Sequence, residues 1–251
     1  MQDSIWTKNY EINSFLVNSQ GRVGLYALLN ILQDAAWLHA TDLGQGAVQK
    51  AAEKSFWVLT RQKVVMREWP MWGNQLQVRT WIRPPTGPFA IRDFEIDCRG
   101  QKIGDCATSW LTVDAQSRKP LRDHSALVGV KTRDHGALTL EMPKIELREN
   151  LATVARFEVR NSDLDMNNHV NNTRYAQWIL DSIPSERHRE FRLLEYEINF
   201  LAEARSGDTI EIKSFSEDAQ EGYHQIQFQG WRDLDQKNIF AARLLVQLSP
   251  T

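Results

Sequence analysis

Two cysteines in 251 residues are too few for a disulfide scaffold. Cys98 and Cys106 flank the turn Arg99-Gly100-Gln101-Lys102. A tight hairpin there would set Cys98 opposite Ile103, so both are expected to be reduced, mostly buried thiols. No apolar run approaches the roughly eighteen residues of a membrane span, so none is expected. Charge of one sign is not in excess: 30 Lys and Arg stand against 32 Asp and Glu, a net charge of −2. That balance excludes a basic nucleic-acid surface and a charged, disordered tail. The opening residues Met-Gln-Asp-Ser-Ile-Trp show neither a charged stretch before an apolar core nor an Arg/Ser-rich leader, so a cytoplasmic protein is expected.

The chain does contain one dense polar segment, Asn161-Ser-Asp-Leu-Asp-Met-Asn-Asn-His-Val-Asn-Asn172, followed by the helical run to Pro184. Asp165, Asn167 and His169 fall within five residues. A carboxylate, an amide and an imidazole are what a site needs to position a water and move a proton. Asn171 and Asn172 are good helix caps, Tyr175, Trp178, Ile179 and Ser182 keep helical spacing, and Pro184 stops the run. The triplet therefore sits at the mouth of a helix, where backbone N–H groups and the positive dipole end would meet a developing oxyanion. Asp163-x-Asp165-x-Asn167 also imitates a calcium loop. Asn168 stands where that loop needs Gly and Arg174 where it needs Glu, so calcium is not expected. No third ligand accompanies Asp165 and His169, so no metal or other cofactor is expected.

Much of the pattern occurs twice. Asn18-Ser-Gln-Gly-Arg-Val23 precedes an apolar helical run to His39, as Asp165–Val170 precedes the helix from Asn171 to Ile183. Both helices read as apolar on almost every side and hence buried. Strands follow each: 57–66 and 192–201, then 75–82 and 209–215, separated by the turns Trp72-Gly-Asn74 and Ser206-Gly-Asp208. A hairpin closes each half, 89–98 with 102–113 and 223–232 with 238–248. The expected fold is α+β, a long antiparallel sheet wrapped around a buried helix, twice over. The halves run 1–113 and 153–251, joined by a charged, proline-containing connection at 114–152.

Superposing the repeats sets Asn18 on Asp165, Gln20 on Asn167, Arg22 on His169 and Trp69 on Glu203. Only the second half keeps the ionisable set, so one site per chain is expected. Glu203, in Leu201-Ala-Glu-Ala-Arg-Ser-Gly-Asp208, joins Asp165, Asn167 and His169 as a candidate. Asp165 and Asn167 could instead be turn or cap residues, and Glu203 a solvated carboxylate. The tryptophans read chiefly as core. Arg174 and Arg205 are candidate contacts for an anionic partner.

The segment Asp-Leu-Asp-Met-Asn-Asn-His-Val-Asn-Asn, with the following Tyr and Trp-Ile-Leu-Asp-Ser-Ile-Pro, closely resembles the signature of acyl-carrier-protein thioesterases. Asn30–Ala40, Phe56–Arg61, Trp69-Pro70 with Val78–Trp81, and Ala107–Trp110 resemble the family in order and spacing. The resemblance covers nearly the whole chain. It implies a tandem (double) hotdog fold, hydrolysis of fatty acyl thioesters in fatty acid biosynthesis, and catalytic Asp165, Asn167, His169 and Glu203. The implied partner is acyl carrier protein with a phosphopantetheine-linked acyl chain, the acyl pocket lying in the N-terminal half; a homodimer is left open. The plant enzymes of the family carry a Glu-Cys pair about this far beyond the His. Glu203 matches that Glu, but Ala204 replaces the Cys, so direct hydrolysis by a carboxylate, Glu203 or Asp165, is expected rather than a Cys acyl-enzyme. A catalytically dead acyl-binding module, a hotdog acyl-coenzyme A thioesterase and a dehydratase are the alternatives.

Overall fold

The structure is a computed structural model that describes residues 4–46, 54–121, 127, 129–138, 142–220 and 222–248. Its contacts divide the chain into Met1–Met142 and Pro143–Thr251, a boundary inside the connection.

The first unit holds β1 (Trp6–Glu11), α1 (Leu25–Asp42), β2 (Ser55–Met66), β3 (Gln75–Ile82), β4 (Ala90–Cys98) and β5 (Gln101–Asp114). Its antiparallel sheet runs β1-β3-β4-β5-β2. The second unit holds β6 (Ala152–Glu158), α2 (Asn172–Asp181), β7 (Phe191–Phe200), β8 (Thr209–Gln220), β9 (Tyr223–Arg232) and β10 (Lys237–Leu248). Its sheet runs β6-β8-β9-β10-β7, the same order strand for strand. The α+β reading therefore holds in each half. The edge strands β1 and β6 had no counterpart in the sequence reading. They are short, rich in polar residues, and β6 is mostly exposed, as strands with one open edge tend to be.

The helices are less apolar than their sequences suggest. In α1 a buried stripe from Leu25 to His39 faces the core, while Asp34 reaches the surface to bond Lys8 and Tyr10 of β1, and Trp37 is exposed. In α2, Tyr175, Ala176, Trp178 and Ile179 are buried and Arg174, Gln177 and Asp181 are not. Tyr175 packs edge-on against Trp178, Phe200 and Phe240, and Phe157 stacks on Trp178. Trp81 and Trp178 are core residues as expected, but Trp72 is largely exposed.

The β4–β5 turn is tighter than expected. Arg99 and Gly100 both take positive φ, the two-residue turn that suits strand twist, and Cys98 faces Gln101 rather than Ile103. Cys106 lies opposite Phe94, and both thiols are buried and unpaired.

The connection is fastened by side chains. In the first unit Trp81 Nε1 donates to His135 O, and Ala137 N–H donates to the carboxylate of Asp93, which Arg83 also clamps. In the second, the amides of Asn199, Gln227 and Gln229 bond the backbone of Ile145, Glu146 and Arg148. These amides give an irregular segment the partners that a neighbouring strand would supply. Under the last turns of α1, the buried Arg92 donates from Nη1 to His39 Nδ1 and Thr80 Oγ1. Among the described residues no carboxylate pairs with it.

Candidate functional site

The loop before each helix is built from the same hydrogen bonds. In the second unit Asp165 N–H donates to His169 O at 2.8 Å, and Asn168 N–H to Asp165 O at 3.1 Å. Asp165 Oδ1 accepts from Asn167 N–H at 2.8 Å and from His169 N–H at 3.3 Å. Asn168 takes a φ of +60°, which Asn tolerates. In the first unit Asn18 N–H donates to Arg22 O, and Asn18 Oδ1 accepts from Gln20 N–H at 2.9 Å and Arg22 N–H at 3.2 Å. Gly21 supplies the positive φ. One oxygen of Asp165 thus does the work that an amide oxygen does in the other half.

The segment carrying Glu203 is anchored in the same repeated way. Val170 N–H donates to Ala204 O at 3.0 Å, as Val23 N–H does to Pro70 O at 2.8 Å. Gly207 N–H bonds Val159 O, as Gly73 N–H bonds Ile12 O. Arg205 N–H is taken by Asp208 Oδ2, as Met71 N–H is taken by Asn74 Oδ1. The superposition of Trp69 on Glu203 thus follows hydrogen bond by hydrogen bond.

The consequence is a pair that neither segment makes alone. His169 Nε2 lies 3.4 Å from Glu203 Oε2, with Arg205 also 3.4 Å from that oxygen. The His169 side chain keeps 19% of its exposure and that of Glu203 38%, so the pair is open to water and to a ligand. Asn167 is exposed on the loop and Met166 projects beside it. Of the four residues picked out from sequence, His169 and Glu203 meet side chain to side chain. Asp165 meets the loop backbone.

The helix mouth is more occupied than expected. Asn171 caps α2 by accepting from Thr173 N–H and Oγ1, and its carbonyl takes Arg174 N–H. Asn172 N–H has no acceptor among the described residues. Arg174 is tied to Ser162 O and Gln177, whereas Arg205 is mostly exposed.

Two further residues touch this site. Arg232, from the end of β9, donates to the carbonyl of Glu203 and pairs with Asp208 and Asp235. Tyr175 is buried, with its hydroxyl toward the Ala204 amide. Desolvation first, and the nearby Glu203 charge, push the phenol well above its usual range. The sequence signal for Arg232 is that it replaces a small residue of the other half; Tyr175 replaces an apolar one and also stands in the segment that resembles the family signature. No cluster of His, Cys, Asp and Glu suited to a metal occurs among the described residues.

The chain matches the acyl-ACP thioesterase N-terminal domain over residues 3–126 and the acyl-ACP thioesterase C-terminal domain over residues 147–241. It is similar to an acyl-[acyl-carrier-protein] hydrolase of Cuphea viscosissima, at 24% identity, covering 88% of this chain and 58% of that one. It spans 56–58% of the first curated plant relatives it matches. A solved acyl-ACP thioesterase of Bacteroides thetaiotaomicron superposes with a TM-score of 0.86 at 25% identity, covering 97% of this chain and 98% of that one. The 12:0-ACP thioesterase of Umbellularia californica, at 18% identity and a TM-score of 0.87, covers 98% and 94%. Those likenesses carry the tandem hotdog fold. With both of its halves matched in order, the chain belongs to the acyl-ACP thioesterase family.

Proposed function

We propose that the chain hydrolyses fatty acyl-[acyl-carrier-protein] thioesters to free fatty acid and holo-carrier protein, with Glu203 as the general base. The observation that carries this reading is the His169–Glu203 pair at 3.4 Å, present in one half and replaced by Arg22 and Trp69 in the other. Asp165 has one carboxylate oxygen engaged by two amides, which suits a loop holder better than a base.

The reaction follows from these groups. Glu203 accepts a proton from water while the water oxygen attacks the thioester carbonyl carbon. His169 and the exposed Asn167 orient that water. The carbonyl oxygen gains negative charge at the mouth of α2, where Asn172 N–H and the helix dipole oppose it. Collapse breaks the carbon–sulfur bond, and the departing thiolate of the phosphopantetheine arm takes up a proton. Ala204 supports direct attack by water, since no thiol stands beside His169.

The N-terminal half, 1–113, would hold the acyl chain, and the C-terminal half, 153–251, the chemistry, with 114–152 between them. Arg205 is placed to meet an acidic carrier. The reading assigns the activity to the cytoplasm, in keeping with two unpaired thiols and with the lack, among the described residues, of a helix able to span a membrane. The test is thiol release by the purified protein from a ladder of acyl-carrier-protein and coenzyme A thioesters. Release from the carrier-linked series is expected. No release from any chain length would overturn the assignment, and release from coenzyme A thioesters alone would overturn the carrier as partner.

A further inference from the structure

The repeat supplies an internal control for deciding which contacts serve the fold and which serve the site. A bond found in both halves is scaffold, because the unarmed half folds with it and has no chemistry to perform. A bond confined to the armed half needs another explanation. By that criterion the Asp165 turn, the Val170–Ala204 bond and the Gly207–Val159 bond are scaffold, each having its equivalent.

The peptide between Glu203 and Ala204 is different. Its carbonyl accepts from Arg232 Nη1 at 2.5 Å. The buried Tyr175 hydroxyl is close enough for the Ala204 amide to act on it electrostatically. The β8–β9 register sets Arg232 opposite Ile210, and the β3–β4 register sets Cys98 opposite Leu76, so Cys98 is the equivalent of Arg232. The Cys98 thiol meets Asn74 Oδ1 at 3.6 Å, as Arg232 meets Asp208 Oδ2 at 3.4 Å. It keeps the scaffold contact and lacks the guanidinium that goes on to the 203 carbonyl. Four residues past the cap of α2 stands Tyr175, and four past the cap of α1 stands Leu28, which has no hydroxyl. The peptide nitrogen in the first half belongs to Pro70 and carries no hydrogen. The groups around this peptide thus change together with Glu203 and His169, while the scaffold bonds around them do not.

We infer that Arg232, with Tyr175 close to the same peptide, is a positioning residue that fixes Glu203 against His169. The inference rests on the reading of Glu203 as the base. Glu203 lies on an irregular segment between β7 and β8, and its side chain is partly exposed. Fixing the peptide at its root restricts where the carboxylate can point. Misplacing a reacting group by about 1 Å can cost on the order of a hundredfold in rate. On its outer edge Arg232 also pairs with the exposed Asp235, at 2.8 and 2.7 Å, while its Nη1 is held on the Glu203 carbonyl and by Asp208.

The experiment is a double-mutant cycle on hydrolysis of a carrier-linked acyl thioester by the full chain. Arg232→Met is expected to lower kcat by about tenfold or more with KM changed by less than about threefold. Tyr175→Phe, which keeps the ring packing and removes only the hydroxyl, shifts kcat the same way by a smaller factor. On a Glu203→Gln background neither change should lower kcat further, because both act through the carboxylate already removed. Asp235→Asn breaks the outer pair and leaves the bond to Glu203, so it should lower the melting temperature while keeping kcat within about threefold of wild type. Losses that multiply on the Glu203→Gln background, or an Asp235→Asn variant as slow as Arg232→Met, would overturn the inference and leave the base assignment standing. A Glu203→Gln variant with wild-type turnover would overturn the base assignment, and the inference with it. Should Arg232→Met fail to fold, the Tyr175→Phe cycle decides alone.

Discussion

Asp165→Asn and Glu203→Gln replace one carboxylate each by its amide, and the structure sets their effects far apart. Asp165 Oδ1 accepts two backbone N–H groups, at 2.8 and 3.3 Å. Asn18 already shows an amide oxygen accepting the same two bonds, at 2.9 and 3.2 Å, in a loop of the same conformation. Asparagine at 165 therefore keeps both bonds and loses only the charge assistance. Each such bond is worth about 0.5–1.5 kcal/mol net, roughly double when one partner is ionised. The expected cost to stability is about 1 kcal/mol, with turnover reduced by less than about tenfold. Asp165→Ala, which loses both bonds, should cost about 2–3 kcal/mol. Glu203→Gln keeps shape but cannot accept a proton, so turnover at saturating substrate should fall by roughly 10²–10⁴, the usual worth of a general base. Its stability should change little, because the side chain is partly exposed and its partners are 3.4 Å away. Steady-state thiol release across a pH series, with thermal melts on the same samples, separates the two. The base's variant should also lose the acidic limb of the pH–rate profile. Asp165→Asn proving the slower enzyme, or Glu203→Gln retaining that limb, would refute the assignment.

His169→Ala and Asn167→Ala should each lower turnover by at least about tenfold with the fold intact by circular dichroism, and near-wild-type rates in both would remove them from the site. Thiol-alkylating reagents should not block a nucleophile. Burial pushes the Cys106 thiol far up, away from thiolate, and Cys98 is raised for the same reason; a folded Cys98→Ser, Cys106→Ser double variant without activity would contradict this. Burial, then the adjacent Arg92, hold the His39 imidazole down to about 4. Below its unfolded value of about 6.5 the unfolded chain takes up the proton that the folded chain refuses, so stability should fall as pH drops from about 6.5 to 4. The slope is at most about 1.4 kcal/mol per pH unit. Urea melts of His39→Gln should lack that part of the slope, and an unchanged slope would mean that His39 is protonated in the fold.

Legibility in the sequence followed the range over which each feature is determined. The helix mouth at Asn161–Asn172 could be read because caps, turns and apolar spacing act within a few residues. The central strands could be read because long alternating or apolar runs such as Gln75–Ile82 leave few alternatives. Trp6–Glu11 could not, since an edge strand with one neighbour needs no apolar run, and its polar residues bond Asp34 and Gln77 instead. The approach of Glu203 to His169 spans 34 residues and is set by long-range bonds such as Val170 N–H to Ala204 O. The repeat and the family resemblance marked Glu203 as a candidate, but no local pattern announces that contact.

Arg232 stayed hidden as well. Cys98 and Arg232 each close the first strand of their hairpin, and the β3–β4 and β8–β9 ladders pair them with Leu76 and Ile210. Their equivalence was within reach of the sequence. What no local pattern announces is the bond from the Arg232 guanidinium to the carbonyl of Glu203, on a separate segment. A tandem fold of this kind thus carries its own reference state. Where two halves share their backbone bonds, a polar side chain confined to one of them is evidence about chemistry, because the other half shows what folding alone requires. That reasoning separates Asp165 from Glu203: the first has a working counterpart in Asn18, whereas Trp69, the counterpart of the second, cannot accept a proton.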